Sequence, residues 1–151
     1  MTSPATTTPA LLPGGAALSF QNGQLMLEQV ALSALAREHG TPLFVYSRAA
    51  SLSALAAYQR GFAGRRAQIC YAMKANASLA ILRLLAEAGC GFDIVSVGEL
   101  ERALAAGATP SKIVFSGIGK TRQEMRRALE VGIGCFNVES RGELERLSQV
   151  A

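Results

Sequence analysis

The chain has 151 residues, half of them apolar and 17% charged, with 15 basic against 11 acidic side chains and a net charge of +4. That balance supports one packed domain and excludes a disordered charged tail. No apolar run reaches the roughly 20 residues that span a bilayer. The paired arginines Arg65-Arg66 and Arg126-Arg127 are doublets rather than a basic stripe, so neither membrane nor nucleic acid is an expected partner.

The first 17 residues, opening MTSPATTTPALLPGG, are Thr/Pro/Ala/Gly-rich and read as a disordered leader without the basic start of a secretory signal. Next, Asn22-Gly23 lies between the apolar runs LSF and LML. Both turn residues tolerate positive φ, so this predicts a β-hairpin. Residues 29–39 carry apolar side chains at helical spacing (Val30, Leu32, Leu35, Ala36) and predict a helix that Gly40 and Pro42 stop. LFVY at 43–46 predicts a strand, and residues from about 48 to 62 a second helix closed by Gly61 and Gly64. Residues 18–47 thus form an N-terminal strand and helix segment, and 48–151 a separate region.

That region is periodic. Apolar runs at 69–73, 92–95, 113–115 and 135–138 recur roughly every 20 residues. Helical stretches at 79–88, 99–106 and 122–131 lie between them, each followed by a glycine: Gly89, Gly107 and Gly132. Ser96-x-x-Glu99, Thr121-x-x-Glu124 and Ser140-x-x-Glu143 have the capping-box pattern, in which hydroxyl and carboxylate satisfy orphan N–H groups at a helix start. Such βα units imply parallel strands covered by helices. Their compactness, without a dinucleotide fingerprint, favours an α/β fold of the (β/α)8 TIM-barrel type. A whole barrel takes eight strands and about 250 residues, so the expectation is the first half of one, preceded by the hairpin and helix segment.

Several features carry no chemistry on this reading. Gly119-Lys120-Thr121 ends like a phosphate-binding loop, but Val114 stands where that loop needs glycine. His39 closes a helix, where the dipole favours a partial positive charge. It has no neighbouring nucleophile for a hydrolase triad. Cys70, Cys90 and Cys135 are too sparse for a zinc site or a disulfide framework and suit a reducing cytoplasm.

Lys74, in Tyr71-Ala72-Met73-Lys74-Ala75-Asn76, is different. It follows the first strand of the repeat at its C-terminal end, where barrel active sites gather. The apolar strand before it is expected to desolvate the ammonium partly, which favours the neutral amine that attacks an aldehyde. A surface lysine in a loop is the equal alternative on spacing alone.

Five segments carry a resemblance: TPLFVY at 41–46, YAMKAN at 71–76, GCGFDIVSVGELE at 89–101, IVFSGIGK at 113–120 and FNVES at 136–140. Together they resemble the diaminopimelate decarboxylases, pyridoxal-phosphate enzymes of the alanine-racemase-like barrel class, from about Phe20 to Ala151. The resemblance implies that Lys74 is the catalytic lysine that holds pyridoxal 5′-phosphate, with Asp93 and Glu99 as acidic cofactor-binding residues and no metal. It further implies decarboxylation of meso-diaminopimelate to L-lysine and carbon dioxide, the last step of lysine biosynthesis, in a homodimer. Turn and capping roles stay open for Asp93 and Glu99. Ser96 reads as a helix cap, Ala72 and Asn76 as shapers of the turn, and Tyr71 as packed inside the barrel. The family's ring-stacking histidine, phosphate-binding glycine loop, ring-nitrogen glutamate, substrate-binding arginine and tyrosine, and C-terminal β domain all match positions beyond residue 151. The 151-residue chain alone is therefore expected to be inactive. Two further readings stay open: a non-catalytic half-barrel module that joins a separate C-terminal half, and an ornithine- or arginine-type decarboxylase or racemase of the same fold.

Overall fold

Asn22 and Gly23 adopt φ of 50° and 76° and join β1 (Leu18–Gln21) to β2 (Gln24–Leu27) in antiparallel register, Gln21 opposite Gln24. Positive φ at both central residues is the turn whose twist matches the strands it connects, so the expected hairpin forms. The computed structural model describes residues 17–151; the expected leader lies outside them, apart from Ala17. These residues form two compact units, the first ending at Ala54 and the second comprising Leu55–Ala151.

Two expectations for the first unit need correction. Val30 and Ala31 belong to a strand, β3 (Val30–Ala31), that pairs with β2, and the helix α1 starts only at Leu32 (Leu32–His39). The helical spacing ran through Val30, but its ladder bonds to Leu27 outweigh one more helical turn. The LFVY segment forms no strand. A β-prone run needs a neighbouring ladder, and among the described residues none pairs with it; Phe44 remains 86% exposed. Helix α2 (Arg48–Gly61) begins where expected. Ser47 Oγ caps it by accepting the Ala50 N–H at 2.9 Å, and Glu28 holds Ser47 Oγ at 2.6 Å and the Ala49 N–H at 2.9 Å.

The second unit is a four-stranded parallel sheet, β4 (Cys70–Ala72), β5 (Gly91–Ile94), β6 (Ile113–Phe115) and β7 (Cys135–Phe136), in sequential order. Helices α3 (Leu79–Glu87), α4 (Val97–Ala105) and α5 (Arg122–Glu130) make the crossovers, and α6 (Arg141–Val150) follows β7. This is the partial barrel that the periodicity predicts. Alternation along the strands divides their side chains between two faces. Phe92, Ile94, Ile113 and Phe115 are fully buried beneath the helices. Leu82 and Leu85 on α3, Leu100 and Ala103 on α4, and Ala128 on α5 complete that core. Helices α3 and α4 each contribute a pair three residues apart, one stripe of their surface. Tyr71 packs edge-on against Phe92 with centroids 6.5 Å apart. It lies on the helix side, not inside the barrel as expected, because it stands opposite Phe92 in the register. The other face carries Ala72, Asp93, Val114 and Cys135, which share one row across the four strands.

Gly89, Gly107 and Gly132 follow the helix ends with φ of 80°, 88° and 73°, the left-handed stop that glycine adopts without strain. Gly91 is required for a different reason. A Cβ there would strike the Lys112 carbonyl oxygen and lie 2.8 Å from Cys70 Sγ. Gly91→Ala is expected to cost about 1–3 kcal/mol through overpacking. Urea unfolding checks this, and a loss below about 0.5 kcal/mol would disprove the close approach.

Candidate functional site

Lys74 sits in a single 3-10 turn, Met73–Ala75, directly after β4. The turn is pinned on both sides. Met73 is fully buried in the core. The Tyr71 hydroxyl donates to the Asn76 carbonyl at 3.2 Å, and Asn76 Oδ1 accepts the Ser78 N–H at 2.9 Å ahead of α3. Arg102 Nε on α4 holds the Ala77 carbonyl at 2.9 Å. Asn76 thus shapes the turn, as expected. Lys74 itself is exposed and has no hydrogen bond or ion pair to any described residue. The expected desolvation of its ammonium does not occur here. β4 is the outer strand of this sheet, so no described strand stands beyond it to exclude water.

Asp93 lies on β5 in register with Ala72, two residues before Lys74. It is half-buried and accepts a hydrogen bond from Ser116 Oγ. Asn137 Nδ2 in turn donates to Ser116 Oγ at 3.0 Å. The polar side chains of Asp93, Ser116 and Asn137 therefore form a chain across β5 and the ends of β6 and β7, on the face away from the helices. Sequence reasoning missed Ser116 and Asn137. The signal was present: each stands two residues beyond a non-helix-facing strand position, Val114 and Cys135, at the C-terminal ends of the strands.

The three expected capping boxes resolve into one complete box and two variants. Thr121 and Glu124 make the reciprocal pair. Glu124 also accepts the Val97 N–H at 3.0 Å, so it serves the start of α4 too. Burial pushes the Glu124 carboxyl up, but the bonds from Thr121 and Val97 outweigh it and hold it below the usual range. Ser96 caps α4 through the Glu99 N–H at 3.2 Å, while Glu99 Oε2 reaches one residue further back to the Val95 N–H at 2.7 Å. Glu99 thereby fixes the turn that follows Asp93. Ser140 caps α6 through the Glu143 N–H at 3.2 Å, and Glu143 Oε2 takes the Glu139 N–H at 3.1 Å.

The other Glu143 oxygen meets a buried cation. Lys120 Nζ lies 2.6 Å from Glu143 Oε1, with the side chains 0% and 2% exposed. Lys120 also donates to the Gly117 carbonyl and, at 2.8 Å, to the Asn137 carbonyl. All three ammonium protons are taken. The lysine of the GKT segment is turned inward as a clamp between the β6 and β7 loops and α6. Burial pushes the Glu143 carboxyl up, but the Lys120 and Glu139 hydrogen bonds and the ammonium charge outweigh it, leaving it below the usual range. His39 lies in the last turn of α1, as expected. Among the described residues no cluster of His, Cys, Asp and Glu could hold a metal, and no helix is long and apolar enough to cross a membrane.

The pyridoxal-binding domain of the pyridoxal-dependent decarboxylases matches residues 50–151. The diaminopimelate decarboxylase of Pseudomonas aeruginosa is 57% identical over 133 residues, 88% of this chain and 32% of that protein. The crystal structure of diaminopimelate decarboxylase from M. jannaschii superposes with a TM-score of 0.86 at 36% identity, over 91% of this chain and 33% of that one. The Helicobacter pylori enzyme, crystallised with L-lysine, gives a TM-score of 0.75 at 44% identity, over 79% and 30%. The chain therefore spans about a third of the relatives it matches.

Proposed function

Because the chain belongs to the pyridoxal-dependent decarboxylases, through their pyridoxal-binding domain, we propose that it is the lysine-bearing N-terminal third of a diaminopimelate decarboxylase. The observation that carries this is Lys74: an unengaged amine at the C-terminal end of a parallel strand, in a turn that buried and hydrogen-bonded neighbours immobilise. The family's cofactor is pyridoxal phosphate, and the residues present fit it. An aldehyde needs an amine free of other partners, and a cationic nitrogen needs a carboxylate on the same sheet. Lys74 and Asp93 provide these.

When bound, the cofactor supplies an electron-withdrawing ring that takes up the electrons left by departing carbon dioxide. The chain's own residues attach and orient it. Lys74 Nζ would hold it covalently. Asp93, in register with Ala72 two residues before Lys74, would be the carboxylate that exchanges a proton with that nitrogen. Glu99 fixes the backbone between Asp93 and α4, so that the carboxylate is presented from a rigid strand end. The substrate is meso-diaminopimelate and the product L-lysine, in a homodimer of the full-length protein. The three cysteines are thiols, which suits the cytoplasm.

A hybrid tests the reading: residues 17–151 of this chain joined to the remaining two-thirds of the P. aeruginosa relative. It is expected to bind pyridoxal phosphate and release carbon dioxide from meso-diaminopimelate. The 151-residue chain alone is expected to release none. A folded hybrid that is inert on meso-diaminopimelate yet active on ornithine or arginine would overturn the substrate assignment.

A further inference from the structure

We propose that Ser116 and Asn137 are positioning residues that orient the Asp93 carboxyl group for proton transfer at Lys74 Nζ; the proposal rests on the reading of Lys74 above. The direction of the hydrogen-bond chain follows from its chemistry. With its oxygen turned to Ser116, Asn137 would compete with Asp93 for a single hydroxyl proton. With its amide nitrogen there, every group is satisfied: Asn137 Nδ2 donates to Ser116 Oγ at 3.0 Å, and Ser116 donates its proton to Asp93 Oδ1. The Ser116 hydroxyl engages one carboxylate oxygen of Asp93, and the second oxygen is left for work.

Each member is fixed by backbone as well as by side chain. The Ser116 N–H donates to the Ile94 carbonyl at 2.8 Å, one residue from Asp93. The Asn137 N–H donates to the Phe115 carbonyl at 2.9 Å, and its own carbonyl is held by the buried Lys120 ammonium at 2.8 Å. Lys120 is locked in turn on Glu143 and Gly117. The carboxylate is thus tied through three strand ends to a rigid, buried ion pair. Asn137 is exposed and Ser116 half-buried, so the chain is not part of the packed core.

The test follows the rate at which the purified 151-residue chain captures pyridoxal phosphate. The amine attacks the aldehyde carbon, the nitrogen–carbon bond forms with loss of water, and borohydride adds hydride to that carbon to fix the link for mass spectrometry. Nitrogen must shed protons and the departing oxygen must gain them, which is where Asp93 acts. Ser116→Ala and Asn137→Asp are expected to slow capture at Lys74 about tenfold, the low end of what a positioned proton-transfer group contributes. Ser116→Thr, which keeps the hydroxyl, is expected to stay within about twofold of wild type. Circular dichroism reports whether each variant folds; if Ser116→Ala does not, the isosteric Asn137→Asp decides. Capture by the folded alanine or aspartate variants at the wild-type rate would overturn the proposal. So would a threonine variant as slow as the alanine one, since packing rather than the hydroxyl would then matter. Absence of capture in the wild-type chain is a different failure, that of the Lys74 reading itself, and removes this proposal with it.

Discussion

Replacing Lys74 with alanine is expected to abolish the borohydride-fixed attachment of pyridoxal phosphate while the chain keeps its fold. The chain has three lysines, and the structure separates them by environment. Lys120 is buried with all its protons donated. Lys112 Nζ donates to the Gly89 carbonyl at 3.2 Å, ahead of β6 and at the opposite end of the strands from Lys74. Lys74 alone is unengaged among the described residues. Its turn is held by Met73, Tyr71 and Asn76 rather than by its own side chain. Truncation to alanine therefore falls in the class of exposed substitutions that shift stability by about 0.5 kcal/mol or less. Wild-type chain should show one fixed label, on the peptide carrying Lys74, and the variant none. In the full-length hybrid the same change should take decarboxylation to background, because the covalent attachment point is gone. Equal labelling of the variant, on Lys112 or the N-terminus, would show that Lys74 is a surface lysine.

The second large effect concerns stability. Lys120→Met is expected to destabilise the chain by about 3–5 kcal/mol, the cost of leaving a buried charge without its partner. Glu143 would keep a carboxylate that is 2% exposed, and the Gly117 and Asn137 carbonyls would lose their donor. The double variant Lys120→Met/Glu143→Leu removes both charges and is expected to regain more than half of that loss, since apolar replacement of a buried pair is often near neutral. Acid titration adds a signed check. The Glu143 carboxyl is held below its ordinary range in the folded chain. Its stabilising contribution is therefore complete above the unfolded value and is lost as pH falls through the folded one. The advantage of wild type over the double variant should shrink as urea unfolding is repeated at progressively lower pH. A single variant as stable as wild type would mean that the pair is not buried in solution.

The repeat in residues 69–138 was legible because each βα unit writes its own boundaries: an apolar run, a helical stripe and a glycine stop, with a Ser or Thr cap ahead of α4, α5 and α6. The hairpin was legible for the same local reason, Asn-Gly. The segment at 43–46 was misread because β-propensity describes a side chain's fit to a ladder and says nothing about whether a ladder is there. Val30 and Ala31 were misread because a short strand can borrow residues from a helical pattern when a partner offers hydrogen bonds.

Local chemistry thus determined, from sequence alone, the order of elements in the βα repeat, the capping residues that follow its later strands and the lysine at the strand end. Lys74 is visible because its neighbours in the chain define its place. Tertiary structure decided what depends on residues far apart meeting. Lys120 and Glu143 are separated by 23 positions, and each reads locally as something else, a phosphate-loop lysine and a capping-box glutamate. Only closure of β6, β7 and α6 excludes water between them and makes them an ion pair. Asp93, Ser116 and Asn137 come from three successive strand ends, and no local pattern predicts the hydrogen bonds between them. Even the exposure of Lys74 is a tertiary fact: the strand before it is apolar, but desolvation requires a wall on the far side, and β4 is the outer strand of this sheet.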